Sequence, residues 1–189
     1  LLNIDLNYAS KQPAELRLKY KRRKNMKKTL VVFGSSTGNC QGFAEIIAQK
    51  LKADISDVND INIEKLAEYD NLVLGTSTWG SGEMQDDWYD GVGKLKDADL
   101  SGKTVALFGC GDADSYSDTF CGGMREIYDT VKASGANILG GVDAAEYTYD
   151  DSESVVDGKF VGLALDVNED ETKSEGRIDK WIQSISNSL

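Results

Sequence analysis

The stretch Thr29-Leu30-Val31-Val32-Phe33-Gly34-Ser35-Ser36-Thr37-Gly38-Asn39-Cys40 decides the fold class. Leu30–Phe33 is a continuous apolar run with no polar alternation, and it stops at a glycine and a cluster of hydroxyls. That pattern predicts a strand buried on both faces and ended by a turn. Phe43, Ile47 and Leu51 then recur at i, i+4 and i+8, with Ala44 and Ala48 beside them, which predicts an amphipathic helix.

Outward from this unit the alternation repeats. Asp54–Val58 reads as a second strand, Leu72–Leu74 as a third, Val105–Phe108 as a fourth and Asn137–Gly141 as a fifth. Trp88, Val92 and Leu95 form one helical stripe, opened by Asp86 and Asp87 at the positive end of its dipole. Phe120, Met124, Ile127, Tyr128 and Val131 form another, and Ile178, Trp181, Ile182 and Ile185 a closing one. Apolar strands separated by helices predict an α/β fold: a doubly wound parallel sheet of five strands, with helices on both faces. One segment breaks the rhythm. The acid-rich Asp143–Lys159 is followed by a second strand-like run, Phe160–Leu165, as a fifth strand interrupted by a surface insertion would be.

Composition narrows the chemistry. The 189 residues are 40% hydrophobic and 28% charged, which suits one soluble globular domain. No apolar run approaches the roughly 20 residues that cross a bilayer. Three cysteines, Cys40, Cys110 and Cys121, are too few and too odd in number for a disulfide scaffold, and they suit a reducing compartment. There is no histidine. That removes the Ser-His-Asp triad, the Cys-His dyad, the imidazole base and every His-containing metal site.

Charge is divided unevenly. Residues 1–25 hold seven Lys/Arg against two acids, whereas residues 26–189 hold 14 against 30, a net −16. A body that acidic repels nucleic acid and anionic membranes and calls for basic partners. The first 25 residues contain the only proline, Pro13, and read as a basic extension outside the domain of 26–189. Two origins fit them: a transit peptide, or an upstream translated extension with Met26 as the working start, the second being preferred. Residues 11–24 also suit a short basic helix.

Three loops follow predicted strand ends, where open α/β sheets bind ligands. Ser35, Ser36, Thr37, Gly38, Asn39 and Cys40 lead into a helix, where backbone amides and the dipole favour a phosphate. The loop has no lysine, and neither GxxxxGK[ST] nor GxGxxG is present, so it suits a single phosphate held by neutral donors. An ordinary N-capped turn is the plain alternative. Thr78, Trp79, Gly80 and Ser81 present an aromatic among small residues, fit to stack on a planar ligand or to fold back on the core. Gly109–Cys121 offers Tyr116 in a Gly- and Asp-rich setting, whose plain alternative is a solvated acidic turn. One phosphate cradle and two aromatics describe a pocket for a flat, monophosphorylated cofactor.

At these residues the sequence resembles the flavodoxins, in particular their long-chain subgroup. Ser35–Cys40 looks like the family's phosphate loop, Thr78-Trp79-Gly80 with Ser81 its first flavin-flanking loop, and Gly109–Cys121 its second. Within the second, the resemblance assigns Cys110, Gly111, Asp112, Tyr116, Thr119 and Cys121 to the flavin. Asp157–Asp166 looks like the segment that closes the long-chain insertion, and the likeness spans residues 27–189. The strand order 2-1-3-4-5 comes with the resemblance, not from the patterning. Cys40 departs from the family's usual threonine or serine, leaving a weak thiol donor toward the phosphate. Cys121 stands where the family uses a backbone amide, which tolerates the change.

The resemblance implies a low-potential one-electron carrier with non-covalently bound FMN and no catalytic acid, base or nucleophile. It would shuttle electrons in place of ferredoxin, from a flavodoxin/ferredoxin reductase to low-potential acceptors, both with basic faces. It also implies a monomer without membrane insertion or nucleic acid, in the cytoplasm, or an organelle stroma if residues 1–25 are a transit peptide. In the family a peptide carbonyl, here that of Gly80–Ser81, turns toward flavin N5 on reduction. Two other classes remain open: an NAD(P)H-dependent quinone or FMN reductase of the same fold, and a cofactor-free phosphate-switched module. The second lacks a phosphorylatable aspartate at the end of the first strand.

Overall fold

The first strand, β1 (Thr29–Gly34), is buried at every residue after its first. The computed structural model describes residues 27–189. The basic extension over residues 1–25 and the helix expected over 11–24 lie outside the described residues.

β1 pairs in parallel with β2 (Asp54–Asp57) on one side and with β3 (Asn71–Trp79) on the other. β3 pairs in parallel with β5 (Thr104–Gly111) and carries the short antiparallel β4 (Glu83–Met84) at its far end. The fifth position is split. β6 (Asn137–Leu139) pairs with Thr104–Ala106, and β10 (Leu163–Asp166) with Phe108–Gly111, both parallel to β5. Counting that split strand as one, the order is 2-1-3-4-5, the fifth strand interrupted as expected.

Strand alternation divides the core in two. Leu30, Val32, Leu72, Leu74, Val105 and Leu107 face one layer. There they meet α3 (Trp88–Asp97) and α4 (Met124–Ala133), through Trp88, Val92, Leu95, Met124, Ile127 and Val131. Val31, Phe33, Val73, Ala106, Phe108 and Leu165 face the other. That side is covered by α1 (Asn39–Leu51) and α5 (Glu171–Ile185). Each large apolar side chain so buried contributes about 1.5–3 kcal/mol. The sheet itself must stay thin at one point: a Cβ on Gly75 would enter the Phe108 ring.

The structure differs from the patterning in four places. β3 runs to Trp79, well past its apolar centre, because β1 pairs with it to the buried Thr76, β5 to the buried Ser77, and β4 with Thr78 and Trp79. Phe120 packs in the same core as α4 but precedes that helix, so its helical spacing is coincidental. The short α2 (Ile63–Ala67) has a single buried residue, Leu66, too little for a periodic signal. Inside the insertion, β7 (Val142–Asp143), β8 (Val155–Val156) and β9 (Lys159–Phe160) form a separate antiparallel ribbon in the order β7-β9-β8, so the apolar run Phe160–Leu165 is divided, Phe160 pairing in the ribbon and Leu163 onward in the main sheet. No helix among the described residues is long and apolar enough to cross a membrane.

Candidate functional site

The three singled-out loops leave one edge of the sheet together. Gly34 is in register with Thr76, and Thr76 with Gly109, so parallel pairing delivers the loops side by side at the strands' C-terminal ends. Between them lies a cavity of about 280 Å³.

The first loop ends at the N-terminus of α1. Gly38, at φ +90°, makes the turn into the helix, and no side chain caps it. The first turn of α1 carries no acid, so its amides and dipole are free to meet an anion. The Gly38 N–H donates to Ser35 Oγ at 3.1 Å, which closes the loop on itself. Ser36, Thr37, Gly38 and Asn39 are exposed, and Thr37 and Asn39 reach the cavity wall.

Cys40 corrects an expectation. Its side chain is fully buried beside Ala44 and Ile47, and burial raises its pKa, with Cys110 adding to the shift. The thiol therefore does not face the loop, and only the Cys40 backbone remains to meet a ligand there. Sequence spacing placed Cys40 in the first helical turn but could not tell which side of that turn it occupies.

The second loop carries Thr78, Trp79 and Gly80 to the cavity, while Ser81 borders a separate groove between α3 and α4. Trp79 Nε1 donates to Ser77 Oγ at 2.9 Å, which fixes the indole at the rim with 42% of its surface in water. Gly80 sits at φ +54°, and a Cβ there would run into the Glu83 carboxylate. That carboxylate accepts the Ser81 N–H at 2.5 Å.

The third loop brings Cys110, Gly111, Asp112, Tyr116, Thr119 and Cys121 to the cavity. Asp112 Oδ1 accepts the N–H groups of Ser115 at 2.8 Å and of Asp114 at 3.1 Å. The Ser115 bond leads in holding the Asp112 pKa below the usual carboxylate range, so it shapes the loop as an anion. Tyr116 is 60% exposed. Cys121, at φ +55°, buries its thiol toward the Gly109 and Leu165 carbonyls, and burial raises its pKa. Neither thiol has the character of a nucleophile. Among the described residues no group of His, Cys, Asp and Glu is arranged to hold a metal.

Three wall residues were not among the expected site residues: Ser77 and Phe120, which belong to the strand-end stretches already singled out, and Val167. Val167 follows β10 directly, so the strand-end rule that singled out the other loops applies to it too.

The flavodoxin family model matches residues 31–181, most of the described chain. The chain is a flavodoxin. It is 41% identical over 165 residues to flavodoxin 1 of Escherichia coli strain K12, covering 85% of this chain and 94% of that protein. With flavodoxin 1 of Azotobacter vinelandii the identity is 39% over 159 residues, 80% of this chain and 91% of the relative. Among solved structures, Fusobacterium nucleatum flavodoxin bound to flavin mononucleotide superposes with a TM-score of 0.80 at 31% identity. That match covers 87% of this flavodoxin and 99% of the other. The split fifth strand, with its ribbon in the gap, is the feature the long-chain resemblance called for.

Proposed function

We propose that this flavodoxin is a low-potential one-electron carrier that binds FMN non-covalently at the cavity through its domain of residues 26–189. The observation that carries the reading is the juxtaposition of an uncapped helix N-terminus with two exposed aromatics on one cavity. The related Fusobacterium flavodoxin is bound to flavin mononucleotide. Ser35, Ser36, Thr37, Gly38, Asn39 and the Cys40 backbone receive the phosphate. Trp79 and Tyr116 flank the ring, and the backbones of Gly80, Ser81, Cys110, Gly111 and Cys121, with Thr78, Asp112 and Thr119, border its edges.

FMN when bound supplies the one-electron chemistry, and the protein supplies orientation and field. Thirty acids against 14 bases in residues 26–189 disfavour added negative charge in the pocket, which lowers the potential. Glu83 of β4, Asp86 and Asp87 just after it, and Asp112, Asp114 and Asp118 on the loop after β5 present an acidic rim to redox partners with basic faces. Those partners are a flavodoxin/ferredoxin reductase as donor and low-potential electron acceptors. The protein works as a cytoplasmic monomer.

The test is reconstitution. Apoprotein mixed with FMN is expected to take up one equivalent and turn yellow, and NADPH is expected to bleach it only when a reductase is added. Failure to bind FMN overturns the cofactor assignment, and bleaching by NADPH alone replaces the carrier with a reductase.

A further inference from the structure

Gln85 lies behind the proposed phosphate loop, not in it, and is 3% exposed. Its main chain is pinned on both sides: its N–H donates to Thr76 Oγ1 at 3.1 Å, and its carbonyl accepts the Trp88 N–H at 2.9 Å. The side-chain amide is wedged against the end of β1, where a Cβ on Gly34 would come within 2.5 Å of Gln85 Oε1.

The orientation of that amide is decided by its neighbours. Oε1 accepts the Asp87 backbone N–H at 3.1 Å, and a backbone N–H only donates. Nε2 donates to Asp87 Oδ2 at 2.8 Å, and a carboxylate only accepts. Both contacts require the same face of the amide, which leaves the second Nε2 hydrogen for Ser36 Oγ at 3.3 Å. A hydroxyl that accepts on one side keeps its own proton for the other. Ser36 is exposed in the loop that leads into α1, so its proton is left for the phosphate side.

We infer that Gln85 is a positioning residue: it holds Ser36 Oγ as an acceptor, so that the Ser36 hydroxyl donates outward to the cofactor phosphate. This rests on the phosphate-loop assignment above. It also ties the phosphate loop to the first ring-flanking loop, since Gln85 stands one residue after β4.

Affinity for FMN against riboflavin, which has the ring but no phosphate, tests the inference. Ser36→Ala should weaken FMN about tenfold or more, the loss of a hydrogen bond to a charged group, and leave riboflavin unchanged. Gln85→Met, which keeps the volume without the amide, should weaken FMN by about three- to tenfold, riboflavin staying within about twofold. In the Ser36→Ala background Gln85→Met should add nothing, because the two act through one hydroxyl.

Gln85→Leu serves as a second variant without the amide, with riboflavin binding reporting an intact pocket. It too leaves Ser36 Oγ without its donor, so FMN should weaken as with methionine. Equal loss of FMN and riboflavin, additive effects in the double variant, or unchanged FMN binding in both Gln85 variants overturns the inference. If Ser36→Ala itself leaves the preference for FMN intact, the phosphate-loop assignment falls instead.

Discussion

Trp79 and Tyr116 are left 42% and 60% exposed at the cavity, although burying either would release a large apolar surface from water. Such a cost is offset when a flat ligand covers the rings. By analogy with stacking of aromatic side chains on bases, each contact contributes about 1–3 kcal/mol. Trp79→Ala is therefore expected to raise the FMN dissociation constant by roughly tenfold or more, at about 1.4 kcal/mol per decade, with Tyr116→Ala similar. Fluorescence titration of the apoproteins measures it, and unchanged constants in both variants refute the stacking roles. These two residues were legible in the sequence because a lone aromatic among small residues has little of its own loop to pack on. Gly80 was legible in a weaker sense: a glycine allowed a positive φ, and the structure uses one, at +54°. Cys40 was not, since spacing gives a helical position without the packing partners that turned its thiol inward. Gln85 was not either. A glutamine in a polar stretch carries no signal until folding sets Ser36 and Asp87 on either side of it.

The split fifth strand was readable from an acid-rich gap between two apolar runs, but the way the insertion is fastened was not. Its ribbon closes over an aromatic cluster in which Phe160 lies 5.2 Å from Tyr147, 5.1 Å from Tyr149 and 5.9 Å from Phe120, centroid to centroid. Arg177 of α5 lies over the Tyr147 ring at 4.2 Å and pairs with Glu169 at 2.9 Å, and Lys180 reaches Glu146 at 2.8 Å. The Arg177–Tyr147, Lys180–Glu146 and Phe160–Phe120 contacts join segments far apart in sequence, so only the crossover topology sets them, whereas Arg177–Glu169 is local to the start of α5. The Glu169 side chain is 8% exposed and that of Arg177 15%, so removing the arginine strands a nearly buried carboxylate. Arg177→Ala should cost about 2–3 kcal/mol, less than a fully buried pair because Lys173 still reaches Glu169 at 2.7 Å. For a domain of this size that is a fall of about 5–10 °C in Tm, readable by calorimetry. Burial alone would raise the Glu169 pKa, but hydrogen bonds from Arg177 and Lys173 outweigh it and hold the carboxyl below its usual range. A lowered folded pKa adds stability that is complete above the unfolded value of about 4.3 and lost as pH falls through the folded one. The gap between parent and Arg177→Ala should therefore narrow below about pH 4; a gap constant down to pH 3 argues against the ion pair as its source.

At the scale of the whole molecule the sign and placement of charge govern how the carrier meets its partners. The chain carries a net −11, and residues 26–189 alone a net −16. Composition gave that sum, but only the sheet register shows that Glu83, Asp86, Asp87, Asp112, Asp114 and Asp118 share the edge from which the cavity opens. Asp114 and Asp118 are exposed, so each alone is screened and contributes little to stability. As a group at that edge they act on encounter. A field of one sign around a redox edge raises association rates with a basic partner by 10-fold or more at low salt, and screening removes the gain. The Debye length shrinks from about 30 Å at 0.01 M to about 8 Å at 0.15 M, shorter than the span of a docking face. Second-order rate constants for electron transfer from a basic reductase should fall roughly tenfold over that range. Asp114→Asn with Asp118→Asn should slow the reaction at 0.01 M and match the parent at high salt, with FMN affinity unchanged. Stopped-flow traces at several ionic strengths separate the two contributions. Rates flat across salt in the parent, or a deficit in the double variant that persists at high salt, would mean that these carboxylates do not steer the encounter.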